Sequence, residues 1–265
     1  MIRSAALPRR ARGFRFFRSV AALILREMGS TYGRSPGGYI WAILEPVAGV
    51  ALLTLVFSIM LRAPLLGSNF PYFYASGFLV FMLYSAVAGS LMSAVRYSRQ
   101  LLEYPSVTIV DALVARFLLA AFTQLLVMAI IMSGIIWWFD LRPILTWSAI
   151  ANALGMATAF GVAVGVSNCF LISMYPLWER VWAVLNRPVF LVSGIIFLPE
   201  NVPERFRDLL MWNPLMHITS EMRRGVYGIY DAVHVDPVYV YGLSFFLGLL
   251  GLYFLLNYHK DIVLR

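Results

Sequence analysis

Lysine is almost missing from these 265 residues, and Lys260 is the single example. A phosphate-cradling Walker loop needs a Lys directly after its glycines, so the chain carries no nucleotide-hydrolysing site of that kind. Cysteine is reduced to Cys169, which excludes an internal disulfide and any cysteine-rich metal site. The three histidines, His217, His234 and His259, form no HExxH pair, and no cluster of acids and histidines suits a membrane-embedded enzyme. Charge itself is scarce. Only 13% of residues are charged against 61% hydrophobic, whereas soluble domains carry roughly 25% charged residues. This is the composition of a polytopic membrane protein. No secretory leader is expected, because Arg26 and Glu27 interrupt the only early apolar patch.

The charge that is present is uneven. Residues 1–38 hold eight Arg and one Glu, most of the formal net charge of +8. A basic arm suits nucleic acid or anionic lipid headgroups, and an apolar run directly after it favours lipid. Within that arm Phe14, Phe17, Ala21, Ile24 and Met28 recur at helical steps, with Arg15, Ser19, Arg26 and Ser30 opposite. The spacing predicts an amphipathic helix over 14–32 lying in the membrane interface. A Gly/Pro-rich elbow, Gly33 to Gly38, then leads into an apolar run with Glu45 only a few residues inside. A carboxylate there is costly in hydrocarbon, so it marks a functional or packing role.

Six membrane spans are expected, at 39–61, 72–95, 110–138, 145–174, 181–198 and 238–257. Pro46 beside Glu45 predicts a local kink in the first. A polar break at 96–108 follows the second span, and another covers 175–186. Gly161 and Gly165, with Ala157 one turn earlier, make a small-residue packing seam, open to a partner within the chain or across a dimer. Arg187-Pro188 leaves too little apolar chain beyond it to cross alone, so Arg187 sits in the membrane or at its edge. Residues 199–237 are too apolar for a solvated loop and too charged for a span. Two short helices meeting at Asn213-Pro214 and dipping into the bilayer fit best; a solvated helical hairpin is the plainer reading.

Charge orients the spans. With both termini inside, the inner segments carry +7 (1–38), +1 (94–109), +1 (176–187) and +1 (258–265). The outer ones carry +1 (Arg62), 0 (Asp140 with Arg142) and −2 (199–237). That arrangement satisfies the positive-inside rule. Individual residues stay open to two readings. Glu45 is either a substrate-path or cation group, or a hydrogen-bonding group near the interface. Aromatics from Phe70 to Tyr74 suit an interfacial belt or stacking on sugar rings, and Phe81 and Tyr84 suit stacking or core packing. Arg26, Arg34, Arg180 and Arg187 project to the inner surface, as anion contacts or as orientation charges. Asp111 and Arg116 suit local helix partners.

The segments LREMGSTYG (25–33), GGYIWAILEP (37–46), Phe70-Pro71, SGIIFLP (193–199) and WNPLMHITSEMRRGVY (212–227) resemble a known family. It is that of the ABC-2 type permease subunits of polysaccharide exporters, closest to the capsular polysaccharide exporters of Gram-negative bacteria. The resemblance covers essentially the whole chain. It implies an all-α membrane protein of six transmembrane helices, with an N-terminal interfacial helix and two short re-entrant periplasmic helices (199–230) before the last span. It implies a homodimer in the bacterial inner membrane, both termini cytoplasmic, assembled with two copies of an ATPase subunit and with periplasmic or outer-membrane export proteins. ATP and Mg would be bound by that partner, with no cofactor in this chain. The cargo would be a lipid-linked acidic polysaccharide moved to the periplasm. The 96–108 break would dock on the ATPase, with Arg96, Arg99, Glu103, Tyr104 and Pro105 as coupling residues. Arg34, Trp41, Glu45, Phe81, Tyr84 and Arg187 would border the substrate path. Trp212, Asn213, Pro214, Glu221, Arg223 and Arg224 would belong to the periplasmic gate. The alternatives are an exporter of O-antigen, teichoic acid or a small molecule, and a membrane-embedded glycan-modifying enzyme.

Overall fold

A computed structural model of the chain describes residues 20–26, 38–102 and 108–258, with side chains over 20–26, 40–98 and 108–258. Residues 20–26 are helical, and the rest of the expected 14–32 helix lies outside the described residues. Among the described residues nine helices follow: α1 (Gly38–Met60), α2 (Phe70–Met92), α3 (Ala94–Leu102), α4 (Ile109–Trp138), α5 (Trp147–Met174), α6 (Leu177–Leu191), α7 (Glu204–Leu210), α8 (Pro214–Val226) and α9 (Pro237–Asn257). A 3-10 turn, Pro199–Asn201, precedes α7, and no strand occurs among the described residues. Among the described residues five helices, α1, α2, α4, α5 and α9, are long and apolar enough to cross a membrane.

Their starts are set by local chemistry. Asn69 caps α2 by accepting from the Tyr72 N–H, ahead of Pro71 in the first turn. Thr108 and Asp111 form a reciprocal capping box at α4. Asp236 accepts from the Tyr239 N–H at α9, before Pro237. Each cap satisfies donors that the first helical turn would otherwise leave without partners.

The helix α5 is the central post, packed on α2 along one side and on α9 along another. A Cβ on Gly165 would lie 2.7 Å from Leu91 Cβ and 2.9 Å from the Ala88 carbonyl oxygen. One on Gly161 would meet the Tyr84 carbonyl oxygen at 3.0 Å. The small-residue seam therefore packs within the chain, against α2. On the other side, Gly251 of α9 lets its backbone reach Ser167, whose hydroxyl donates to the Leu247 carbonyl. Small residues allow this approach, and dispersion between close backbones is what holds helices together in lipid.

The bundle has two distinct ends. At one, α2 passes into α3 through a break at Ser93, beside the end of α5 and the start of α6. At the other, α8 packs against the starts of α2 and α5, where the Thr146 N–H donates to the Gly225 carbonyl. Trp137, Trp138, Trp147 and Trp212 all lie toward this α8 end and are at least 71% exposed. Exposed tryptophans at one level make an interfacial belt.

The expected 181–198 element differs from what forms. The helix α6 begins earlier, at Leu177, and stops at Leu191 after 15 residues, and residues 192–198 turn away without helical geometry. Pro188 removes a helix donor, and Gly194 adopts φ +75°, where any side chain is strained. A Cβ on Gly194 would also lie 2.5 Å from Met216 Sδ.

Candidate functional site

The α8 end is built from charge that the bundle has enclosed. The helix α8 is too polar to sit in hydrocarbon, yet of its residues only Arg224 is not buried. Asn213 starts it, accepting from the Leu215 N–H while its amide donates to the Val192 carbonyl. Pro214 fills the first helical position. Thr219 Oγ1 donates to the Ser193 carbonyl at 2.8 Å, and the Tyr72 hydroxyl donates to the Val226 carbonyl at 3.1 Å. His217 Nε2 meets the Met211 carbonyl at 2.8 Å and Nδ1 accepts from the Asp236 N–H at 3.1 Å. These partners set the tautomer with hydrogen on Nε2.

Arg223 is the centre of this arrangement. Its side chain is fully buried, and its guanidinium lies 4.3 Å above the Phe73 ring. Nη1 donates to the carbonyls of Gly194 (2.6 Å) and Phe197 (3.1 Å), and Nη2 donates to that of Ile195 (2.7 Å). Residues 192–198 have left the helix and cannot satisfy these oxygens themselves. One planar fork serves all three. Gly77 makes room for it, since a Cβ there would stand 3.1 Å from Nη2 and 3.3 Å from Ile195 Cα. Gly77 lies about 10 Å along α2 from its start at Phe70, at ~1.5 Å per residue. Irregular backbone at that depth is tolerated only where protein covers it.

Glu221, also fully buried, accepts at Oε1 from Asn152 Nδ2 (2.9 Å) and from Arg224 Nη2 (2.7 Å). The Tyr241 hydroxyl of α9 donates to Asn152 Oδ1 at 3.2 Å. The link ties α8, α5 and α9 together.

At the α3 end Asp111 and Arg116 are buried, while a further pair of charges lies at the surface. Arg96 forms a two-pronged pair with Glu179 of α6, at 3.1 and 2.7 Å, with 59% and 48% of the side chains exposed. The hydrogen bond from Arg96 holds the Glu179 carboxyl below the usual carboxylate range, and Glu179 raises Arg96 in return. Next to Arg96, Tyr97 lies under the Arg116 guanidinium at 4.5 Å. Arg116 Nη1 also donates to the Ser93 carbonyl at the break between α2 and α3. Trp178 donates to Asn168 Oδ1 at 2.7 Å, anchoring the start of α6 on α5.

Between the ends run unfilled apolar surfaces. A groove of about 690 Å³ separates α1 from α4, lined by Val47, Ala51, Thr54, Ile131, Gly134 and Trp138. The helix α6 has no buried residue, and it touches the bundle through Trp182, Val189 and Phe190.

The expected site residues separate into three groups. Trp41, Glu45 and Arg187 are exposed on α1 and α6. Phe81 and Tyr84 are inside the bundle, Phe81 against Phe190 at 5.5 Å and Tyr84 stacked on Phe160 at 5.2 Å. Asn213, Pro214, Glu221, Arg223 and Arg224 share α8 and its cap, with Trp212 exposed just before it. Arg34, Glu103, Tyr104 and Pro105 lie outside the described residues, and of Arg99 only the helical backbone is described. Asn152 and Gly77 carry the α8 end without having been singled out, Gly194 entered only within the 193–199 motif, and Phe73, read with the Phe70–Tyr74 aromatics as belt or stacking, is fully buried under Arg223. Gly194 had a signal, a glycine inside an apolar stretch too short to span; Asn152 had none.

No family model matches the chain. Curated relatives do. The polysialic acid transport protein KpsM of Escherichia coli is 28% identical over 218 residues, 78% of this chain and 81% of the relative. The capsule polysaccharide export inner-membrane protein CtrC of Neisseria meningitidis is 24% identical over 247 residues, 92% of each chain. The protein of that same description from Haemophilus influenzae, BexB, is 24% identical over 249 residues, again 92% of each. The similarity is modest per residue and runs nearly end to end, so the resemblance noted in the sequence to capsular polysaccharide export permeases holds.

Proposed function

We propose that this chain is the permease subunit of an ATP-driven exporter that carries a lipid-linked acidic capsular polysaccharide outward across the bacterial inner membrane. The observation that carries this is the near full-length relation to capsule export inner-membrane proteins, joined to five helices able to span a bilayer. Energy comes from ATP and Mg bound by a separate ATPase subunit, since the chain has no Walker loop.

The chain crosses six times, with both termini in the cytoplasm. Helix α5 ends at the α3 end and α9 starts at the α8 end, so residues 175–236 must traverse the bundle once. Helix α6 and the turn after it make that passage. The α3 end, following the more positive segments, faces the cytoplasm and the ATPase. The α8 end faces the periplasm, where α7 and α8 form a re-entrant pair, and further export proteins receive the polymer there. Two copies associate, with the apolar surfaces of α1, α4 and α6 turned toward lipid or the second copy. The path runs between copies, because Phe81 and Tyr84 already fill the interior of one. Trp41, Glu45 and Arg187 stand on the exposed walls that would border it. Weak contacts at many points suit a sliding polymer, which a tight site would stall.

The test is a strain lacking this chain. Export predicts that lipid-linked acidic polymer accumulates in the cytoplasm, disappears from the surface, and is restored by the intact gene. Accumulation of an O-antigen or teichoic-acid intermediate would reassign the cargo. An unmodified glycan on the outer surface would point to an enzyme.

A further inference from the structure

We propose that Arg96 and Glu179 form a strut that carries motion of α3 into α6, rather than a contact to another protein. The inference rests on the permease reading and names the link between its energy source and the wall of its path. Sequence alone places the two residues in separate polar breaks, 83 positions apart. The structure closes them into one fork, with both Arg96 nitrogens on both Glu179 oxygens at 3.1 and 2.7 Å.

Three observations give the pair this role. First, α6 is lightly held by packing, with no buried residue of its own and only Trp182, Val189 and Phe190 resting on the core. Its start is tied to the bundle by polar contacts, Trp178 to Asn168 and Glu179 to Arg96. Second, neighbouring residues of α3 reach in different directions. Tyr97 lies under Arg116 of α4, and Arg96 reaches α6. A displacement of α3 is therefore passed to both helices. Third, the fork is about half exposed on each side, where an ion pair contributes little to stability. A two-pronged pair fixes relative orientation as well as distance, which is what transmission requires and fold stability does not.

The experiment uses the full permease with its ATPase in proteoliposomes, comparing the parent with Arg96→Glu, Glu179→Arg and the double reversal. Glu179→Arg, outside the 96–108 break, is expected to leave ATPase assembly and basal ATP hydrolysis within about twofold of the parent, and Arg96→Glu is compared with it. Each should reduce ATP-driven transport of the lipid-linked polymer at least tenfold, and the double variant should recover to within about threefold. Arg96→Lys, which keeps the charge and loses the fork, is expected to fall between. Melting temperatures of the purified variants identify any that misfold. Transport unaffected by either single reversal overturns the strut. So does loss of ATPase binding by Arg96→Glu that Glu179→Arg fails to repair, which would assign Arg96 to the ATPase surface. If the parent complex itself moves no polymer, it is the permease reading that fails, and the strut falls with it.

Discussion

At the α8 end a single wholly enclosed guanidinium serves three main-chain carbonyls, while at the α3 end a guanidinium of the same type meets one carboxylate half in solvent. The two arginines are chemically identical, and their surroundings give them opposite uses. Removing Arg223 would strand buried acceptors in a dry place, so its bonds cannot be exchanged during a working cycle. The Arg96 pair has water as an alternative partner on both sides, so losing it costs little stability, and what the closed fork fixes is the orientation of α3 on α6. One end is built to stay, and the other is built to move.

The largest expected effect strikes the end that stays. Arg223→Ala should lower unfolding stability by roughly 3 kcal/mol or more, since each buried oxygen left without a donor costs ~1–3 kcal/mol. Thermal unfolding in detergent measures it, and Arg223→Lys should recover only part, because an ammonium cannot reproduce the fork. A melting temperature within a degree of the parent would break the contrast between the ends.

Next in size is the seam that joins them. Gly165→Leu forces side-chain atoms into the Ala88 backbone, which cannot yield as a flexible side chain would, and overpacking of this kind costs ~1–3 kcal/mol. Gly89→Ala on α2 meets nothing within 4 Å and is the matched control with no expected loss. A smaller effect, about 1–2 kcal/mol for two lost side-chain hydrogen bonds, is expected for Asn152→Ala, which leaves Glu221 with Arg224 alone and Tyr241 with the main-chain carbonyl of residue 152. The same unfolding assay reads it.

Smallest is the stability change from Arg96→Ala or Glu179→Ala, expected below about 1 kcal/mol for so exposed a pair. Its pH dependence has a definite sign. The folded-state Glu179 carboxyl is depressed from its ordinary 4.5, so the contribution is complete above that value. It is lost as pH falls through the lower folded value, and stability between pH 6 and 8 should not differ between the parent and Glu179→Gln in slope. A slope difference in that window would mean another titrating group faces the pair.

The five long helices were legible because length and hydropathy alone decide them; the caps Asn69, Thr108 and Asp236, which start three of them, were not singled out. The region after α6 was not legible. The residues from Val181 to Leu198 read as one continuous span, yet the backbone leaves the helix at Leu191. What permits the turn is Arg223, some 30 positions later, and a long-range donor of this kind has no periodicity to betray it. The same holds for Arg96. The sequence marked it as a charge in a polar break, and only the packing of α6 beside α2 and α5 brings Glu179 within reach. The seam at Gly161 and Gly165 was legible as a seam, but its partner, α2, was not, because small residues advertise close approach without naming what approaches.

The central claim, that this chain moves a lipid-linked polymer outward when a partner hydrolyses ATP, is tested most directly by reconstitution. Proteoliposomes would hold the purified chain, its ATPase and a labelled lipid-linked acidic polysaccharide, initially accessible on the ATPase side. The account predicts that ATP makes the polymer inaccessible to a glycan-degrading enzyme on that side, and that a hydrolysis-dead ATPase abolishes the change. Equal movement without ATP, or a chemically altered polymer that never crosses, would contradict it.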